Sequence, residues 1–211
     1  MFLTIFTYTG IEAATIVGGI VFLMVMERLI HRDVLHNPRS LIQYAYIAHH
    51  KIHHSLFGGD ETYFLQNRPA EHLEPHEEKI PMAWWAKYLI VPLGSVPFML
   101  SATPFVLFAW WWSAAIMVSA TGLVLSALAF ATYEYMHYCM HHPKNRRIER
   151  TALFKWLDRH HLIHHLDPRS NLNVVMFPFP YGIDWWCGTL RLDHPGLAAA
   201  QQSRHRFSVG A

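Results

Sequence analysis

The sequence predicts an all-α integral membrane protein with about three transmembrane segments and a cytoplasmic helical cap. Hydrophobic residues make up 52% of the 211-residue chain and charged residues only 15%, whereas soluble domains carry about 25% charged residues. Two long segments are almost free of charge, and most of the 17 histidines fall into four short clusters. A chain of this length is expected to form one domain, residues 1–211.

The first apolar segment predicts a transmembrane helix at about residues 5–30. From Phe2 to Met26 the only charged residue is Glu12. A helix that crosses the hydrocarbon core of a bilayer needs about 20 predominantly apolar residues, so this segment is long enough.

The second apolar segment predicts a helical hairpin. The 46 residues from Tyr88 to Tyr133 include no Asp, Glu, Lys, Arg or His. At about 1.5 Å rise per residue, this length corresponds to about two membrane crossings. We expect transmembrane helices at about 86–108 and 111–133. The turn is expected at Trp110, Trp111 and Trp112, because amphipathic aromatic rings favour the membrane interface.

The charge distribution predicts which parts of the chain share one side of the membrane. All 17 Lys and Arg residues lie within 28–87 or 144–206. The positive-inside bias therefore predicts that regions 31–85 and 134–211 are cytoplasmic and that the protein resides in the cell membrane. A formal net charge of only +2 argues against a nucleic acid partner.

The four histidine clusters indicate a metal site. His31 and His36 follow the first apolar segment, and the second cluster comprises His49, His50, His53 and His54. The third comprises His137, His141 and His142, and the fourth comprises His160, His161, His164 and His165. Packing so many imidazoles together without a metal would leave many ring nitrogens without a hydrogen-bond partner. Imidazole suits iron, copper, zinc and nickel alike, so the residues alone do not name the metal.

The spacing within the clusters is compatible with shared ligation. Residues three or four apart on an α-helix share a face, as do His50, His53 and His54, or His137 and His141. His31 and His36 are five residues apart, about 140° around an α-helix, so the helix should unwind near Asn37 and Pro38 if both bind metal.

At these clusters the chain resembles the fatty acid hydroxylase superfamily, which also includes sterol desaturases and related lipid-modifying enzymes. The family pattern HxxxxH, HxxHH, HxxxH, HxxHH is met in order by ten residues: His31, His36, His50, His53, His54, His137, His141, His161, His164 and His165. The resemblance extends to Asn171 and Asn173 and to the Asp-x-x-x-Gly-Thr-Leu stretch that begins at Asp184. It covers roughly residues 20–192.

The resemblance implies a function. Members of the family activate dioxygen at a diiron centre and oxidise an unactivated C–H bond of a lipid or fatty acyl chain. The ten histidines would then be iron ligands, and O2 would be the co-substrate. Electrons would come from a separate ferredoxin or cytochrome-type donor, because the chain has no Rossmann glycine fingerprint and no cysteine set for an iron–sulfur cluster.

Four further residues have open roles. His49, His142 and His160 adjoin the family boxes, and we expect them to hydrogen-bond ligands rather than bind metal, although a one-residue change in helix phase would exchange them with their neighbours. Glu134 lies one turn before His137 and is the candidate catalytic residue, as a group that orients a histidine or accepts a proton. It could equally be a solvated charge at the membrane interface.

Other functions remain open on these motifs. Hydrogen abstraction can end in oxygen rebound or in loss of a second hydrogen, so a lipid or sterol desaturase or a carotenoid oxidase is an alternative. A non-catalytic metal-binding or metal-transport membrane protein is a further one. It is disfavoured because the hairpin segment has no ionisable side chain to line a pathway.

Overall fold

The computed structural model describes residues 2–58, 86–109, 111–174 and 182–201. Within these ranges every regular element is helical and there is no β-strand, so the all-α prediction is confirmed for this part of the chain. Two compact units can be distinguished. The first comprises Met1–Met26 and Ala83–Thr132, and the second comprises Glu27–Met82 and Tyr133–Ala211.

Three long helices correspond to the predicted membrane segments. Helix α1 spans Phe2–Leu29, α4 spans Ala86–Ala109 and α5 spans Trp112–His141. The short helices α2 and α3 lie between α1 and α4 and are described below. Two helical stretches are long and apolar enough to cross a bilayer, Thr7–Leu35 and Trp112–His141. In α4 the stretch Gly94–Leu107 is apolar, and the third span stays a prediction.

Helix α5 continues eight residues beyond the transmembrane span predicted to end at Tyr133. The predicted span stops there because Glu134 is the first ionisable residue, and the helix continues past that charge. The residue before a proline is disfavoured in the α conformation, and the helix ends at His141, just before His142 and Pro143. The extension places the third histidine cluster on α5.

Close packing in the first unit depends on two glycines. An added Cβ at Gly122 would lie 2.2 Å from Cγ of Phe98, and one at Gly19 would lie 2.7 Å from Cε1 of the same ring. The Phe98 ring therefore occupies space that only glycine leaves open on α1 and α5. Phe22 meets it edge to face at 5.8 Å.

The second unit is built from short helices around the end of α5. Wide π-helical turns cover Ile30–Leu35 and Ile47–His53, with α2 at Gln43–Tyr46 and α3 at His54–Leu56. Helix α6 spans Ala152–Leu166, and Thr151 caps it by accepting a hydrogen bond from the Phe154 N–H at 3.2 Å.

Helix α5 packs directly against α6. Met136, Cys139 and Met140 of α5 bury their side chains against Phe154 and Leu157 of α6. The short helix α7, Gly182–Trp186, follows later in the chain. This apolar contact holds the third and fourth histidine clusters side by side. Of the predicted cap, residues 59–85, 175–181 and 202–211 lie outside the described residues.

Candidate metal centre

Ten buried or half-buried histidines of the second unit form two groups. Each residue offers one ring nitrogen, and the nitrogens of a group lie within 4.8 Å of one another. The first histidine group contains His31, His36, His49, His54 and His164. The second histidine group contains His53, His137, His141, His161 and His165. Either group could hold a metal ion.

The two π-helical turns explain how residues five apart reach the same group. A π-helix bonds residue i to residue i+5, and such turns occur frequently at functional sites. The His36 N–H donates to the His31 carbonyl oxygen at 3.1 Å. The His54 N–H donates to the His49 carbonyl oxygen in the same way. We predicted unwinding near Asn37 and Pro38, and the widened helical turn lies just before them, at Ile30–Leu35.

The second and fourth clusters each contribute to both groups. His53 and His54 are adjacent in the chain but point into different groups, and so do His164 and His165. As a result the groups adjoin. The rings of His54 and His165 stack with centroids 4.2 Å apart, and those of His49 and His53 stack at 5.1 Å. The two adjoining groups could therefore hold one metal ion each.

The distances between ring nitrogens fit shared coordination. In the first group, Nε2 of His31 lies 3.0 Å from Nε2 of His49, and Nε2 of His36 lies 3.1 Å from Nε2 of His164. In the second group, Nε2 of His161 lies 3.1 Å from that of His141 and 3.0 Å from that of His165.

Coordination geometry gives a scale for these distances. For metal–nitrogen bonds of about 2.1 Å, ligands at right angles lie about 3.0 Å apart and tetrahedral ligands about 3.4 Å apart. The four distances are therefore compatible with nitrogens that share one metal ion.

In several of these histidines one ring nitrogen makes a hydrogen bond that leaves the other nitrogen able to bind a metal. The Nδ1–H groups of His31, His164 and His165 donate to the carbonyl oxygens of Leu172, Ser170 and Phe57. Each neutral ring then keeps an unprotonated Nε2 that points into its group. Both ring nitrogens of His53 and of His137 are buried without a hydrogen-bond partner among the described residues. A metal ion would satisfy one nitrogen of each of these rings.

Burial keeps these imidazoles neutral. It lowers the pKa well below the ordinary value of 6.5, and the neighbouring imidazoles lower it further, at His49, His53, His54, His161, His164 and His165. Neutral imidazole is the form that binds metal, so the folded site does not have to lose protons before it binds.

Nine of the ten predicted ligands lie in the two groups, and the tenth, His50, lies in neither. His49, which we expected to be a hydrogen-bonding neighbour, lies in the first group instead. The prediction assumed α-helical phase, in which His50 shares a face with His53 and His54. The π-helical turn at Ile47–His53 rotates that face and brings His49 inward. His50 is half-exposed, stacks on Tyr46 at 5.2 Å, and has its Nδ1 2.9 Å from Nδ1 of His36.

The other residues with open roles lie beside the groups. His142 stacks on Tyr138 with centroids 4.4 Å apart. His160 stacks on Trp156 at 5.4 Å, and its Nε2 lies 3.5 Å from Oδ2 of Asp184. Glu134 is half-buried on α5, one turn before His137, and belongs to neither group.

Sequence reasoning missed the groups that orient the ligands. Three are backbone carbonyls, of Phe57, Ser170 and Leu172, which no residue type reveals. Glu27 was also missed; it accepts hydrogen bonds from the Asn173 side chain at 3.1 Å and the Val174 N–H at 3.0 Å, in the segment that follows Leu172. The one available signal was an acidic residue at the end of an apolar helix.

Comparison with known proteins gives no match. No family model matches the chain, and no curated protein and no solved structure matches it either.

Proposed function

We propose that this protein is a membrane-bound, O2-dependent diiron oxygenase that hydroxylates an unactivated C–H bond of a lipid or fatty acyl chain. The observation that carries the proposal is the pair of adjoining histidine groups, each with five imidazoles. The resemblance of the four histidine boxes to the fatty acid hydroxylase superfamily supports iron as the metal and O2 as the co-substrate.

The ligand chemistry is compatible with iron. The five imidazoles of each histidine group would hold one ion. Neither group includes a carboxylate, so the ligands do not cancel the charge of the ions. Two irons held in this way would supply the chemistry that activates dioxygen and oxidises a C–H bond.

The protein's own contribution is to orient the histidine rings and to shield the site from water. Hydrogen bonds from Nδ1 to backbone carbonyls fix the tautomers of His31, His164 and His165. His53, His141 and His161 have no exposed surface. A buried, water-poor site limits side reactions of a strong oxidant.

The apolar character of the first unit supports a lipid substrate. A cavity of about 440 Å³ lies there, within the size range of small-molecule sites, and residues such as Phe22, Pro97, Phe98 and Phe105 line it. Two hydroxyl groups also line the cavity, those of Thr15 and Ser101. Both donate to carbonyls of their own helices at 2.8 Å, so the cavity suits a hydrocarbon chain better than a polar ligand.

Reduction of the metals would require electrons from a separate donor. The two cysteines of the chain, Cys139 and Cys187, are free thiols. One is buried in the contact between α5 and α6 and the other is exposed. A ferredoxin or cytochrome-type protein that docks at the cytoplasmic face is therefore part of the proposal.

Lipid mass spectrometry under ¹⁸O2 tests the function. Cells that express the protein should contain a lipid with one added ¹⁸O atom, and cells that express His53→Ala at the same level should lack it. A lipid that instead loses two hydrogens would show that the reaction is desaturation and not hydroxylation. Identical lipid profiles in the two strains would contradict both.

A further inference from the structure

Residues 170–174 form an irregular segment beside the first histidine group, which we call the strap. The Ser170 carbonyl oxygen accepts from Nδ1 of His164, and the Leu172 carbonyl oxygen accepts from Nδ1 of His31, each at 2.8 Å. Both rings belong to the first group. The position of the strap therefore sets the orientation of two of the five imidazoles in that group.

Side-chain hydrogen bonds hold the strap at Asn171. This residue has a positive φ of 52°, which asparagine tolerates better than most residues. Its Nδ2 donates to the carbonyl oxygens of His160 and Arg191 at 3.0 Å, and its Oδ1 accepts from the Arg191 N–H at 2.7 Å. The bend at Asn171 lets the carbonyls on either side of it reach His164 and His31.

Asp184 anchors the next residue of the strap. Its side chain has no exposed surface. Oδ2 accepts from the Asn173 N–H at 2.8 Å and lies 3.5 Å from Nε2 of His160. Oδ1 accepts from the Thr189 hydroxyl at 2.7 Å and lies 3.6 Å from Nε of Arg28.

The environment of Asp184 keeps it ionised. Burial alone would raise its pKa, but the hydrogen bonds from His160, the Asn173 N–H and Thr189 hold the pKa below its ordinary value. A buried carboxylate of this kind is stable only while its donors are in place, so it resists movement of the strap.

One ring of the second histidine group has a partner outside the strap. Nδ1 of His165 donates to the carbonyl oxygen of Phe57, which follows α3. The carbonyls of Ser170 and Leu172 in the strap accept from rings of the first group. Substitution of Asp184 should therefore affect the first histidine group more than the second.

We infer that Asp184 is a positioning residue for the first histidine group, because it fixes the strap that orients His31 and His164. The inference rests on the proposed metal centre and adds to it a difference between the two metal sites. Loss of a group that hydrogen-bonds a metal ligand lowers metal affinity by about 10–100-fold. Asp184 acts on the ligands through the strap, so in Asp184→Asn one site should weaken by up to about this factor while the other keeps its wild-type affinity.

The test is anaerobic titration of chelator-treated protein with ⁵⁷Fe²⁺, followed by Mössbauer spectroscopy. Wild-type protein should bind two ions, and Asp184→Asn should bind one with wild-type affinity and the other more weakly, with only one of the two iron signals altered. Asp193→Asn is the matched control, because Asp193 is exposed, lies 4.0 Å from Arg159 and accepts one hydrogen bond, from the N–H of its neighbour His194.

A second variant tests the same inference if Asp184→Asn does not fold. Thr189→Val removes one hydrogen bond to the carboxylate and leaves its charge. It should show a smaller loss at the same site. Two unaltered sites in both folded variants, or equal weakening of both sites, would overturn the inference and leave the proposed function standing. Wild-type protein that binds no iron would overturn both.

Discussion

His49 and His50 are neighbours in the chain with different surroundings. His49 is 8% exposed, and its Nε2 lies 3.0 Å from Nε2 of His31. His50 is half-exposed and stacks on Tyr46 outside both histidine groups. The difference arises from helix phase, since one residue rotates a side chain by about a quarter of a turn or more.

This pair offers a matched test of the ligand set. His49→Ala should lower the metal content from about two ions per chain to about one, because the first group loses a ligand. His50→Ala should keep both ions. Elemental analysis of the two purified variants gives the result, and loss of metal in His50→Ala with full occupancy in His49→Ala would restore the α-helical assignment.

The buried imidazoles predict how the stability of the metal-free protein depends on pH. In the folded state burial holds the pKa of residues such as His53 and His161 well below 6.5, whereas in the unfolded chain the pKa is about 6.5. Below about pH 6.5 the unfolded chain therefore binds more protons, and the free energy of unfolding falls by up to about 1.4 kcal/mol per pH unit for each such histidine.

Thermal unfolding of chelator-treated protein in detergent measures this dependence. The midpoint should decrease steadily from about pH 7 to about pH 5. Bound metal opposes protonation of the ligands, so the metal-loaded protein should remain stable to lower pH. Equal midpoints at both pH values for the metal-free protein would contradict the buried, neutral state of the histidines.

At the scale of elements, the contact between α1, α4 and α5 depends on the missing side chains of Gly19 and Gly122. Gly18 faces open space, with nothing within 4 Å of an added Cβ. The two neighbouring glycines of α1 thus differ in what a methyl group would meet. The contrast separates the effect of helix propensity from the effect of packing.

Gly122→Ala should destabilise the protein by about 1–3 kcal/mol, because the new methyl group would overlap the Phe98 ring. Gly18→Ala should leave stability unchanged or raise it slightly, since alanine favours a helix over glycine. Thermal unfolding in detergent compares the two. In a Phe98→Ala background the Gly122→Ala penalty should shrink, and an unchanged penalty there would rule out the contact with Phe98 as its cause.

How far the sequence could predict these elements depended on the kind of signal. The charge-free run from Tyr88 to Tyr133 predicted α4 and α5, because hydrophobic length is a property of composition. The phase of the second histidine cluster was not predictable, since Ile47–His53 adopts i→i+5 hydrogen bonding that no local residue pattern announces. The strap was equally hidden, because it acts through the backbone carbonyls of Ser170 and Leu172.

At the scale of the whole molecule, the chain divides its chemistry between two compact units. Apolar helices and an apolar cavity belong to the first unit, and both histidine groups belong to the second. Separation of this kind suits an enzyme whose substrate is a lipid and whose electrons come from a soluble donor. The sequence analysis predicted one domain and did not predict two units, and the side of the membrane and the third span stay predictions.

The metal content of wild-type protein tests the central claim most directly. Protein purified in detergent without chelator and analysed by inductively coupled plasma mass spectrometry should contain about two irons per chain, one for each histidine group. A folded protein that contains no transition metal, or zinc in place of iron, would contradict the claim of a diiron centre.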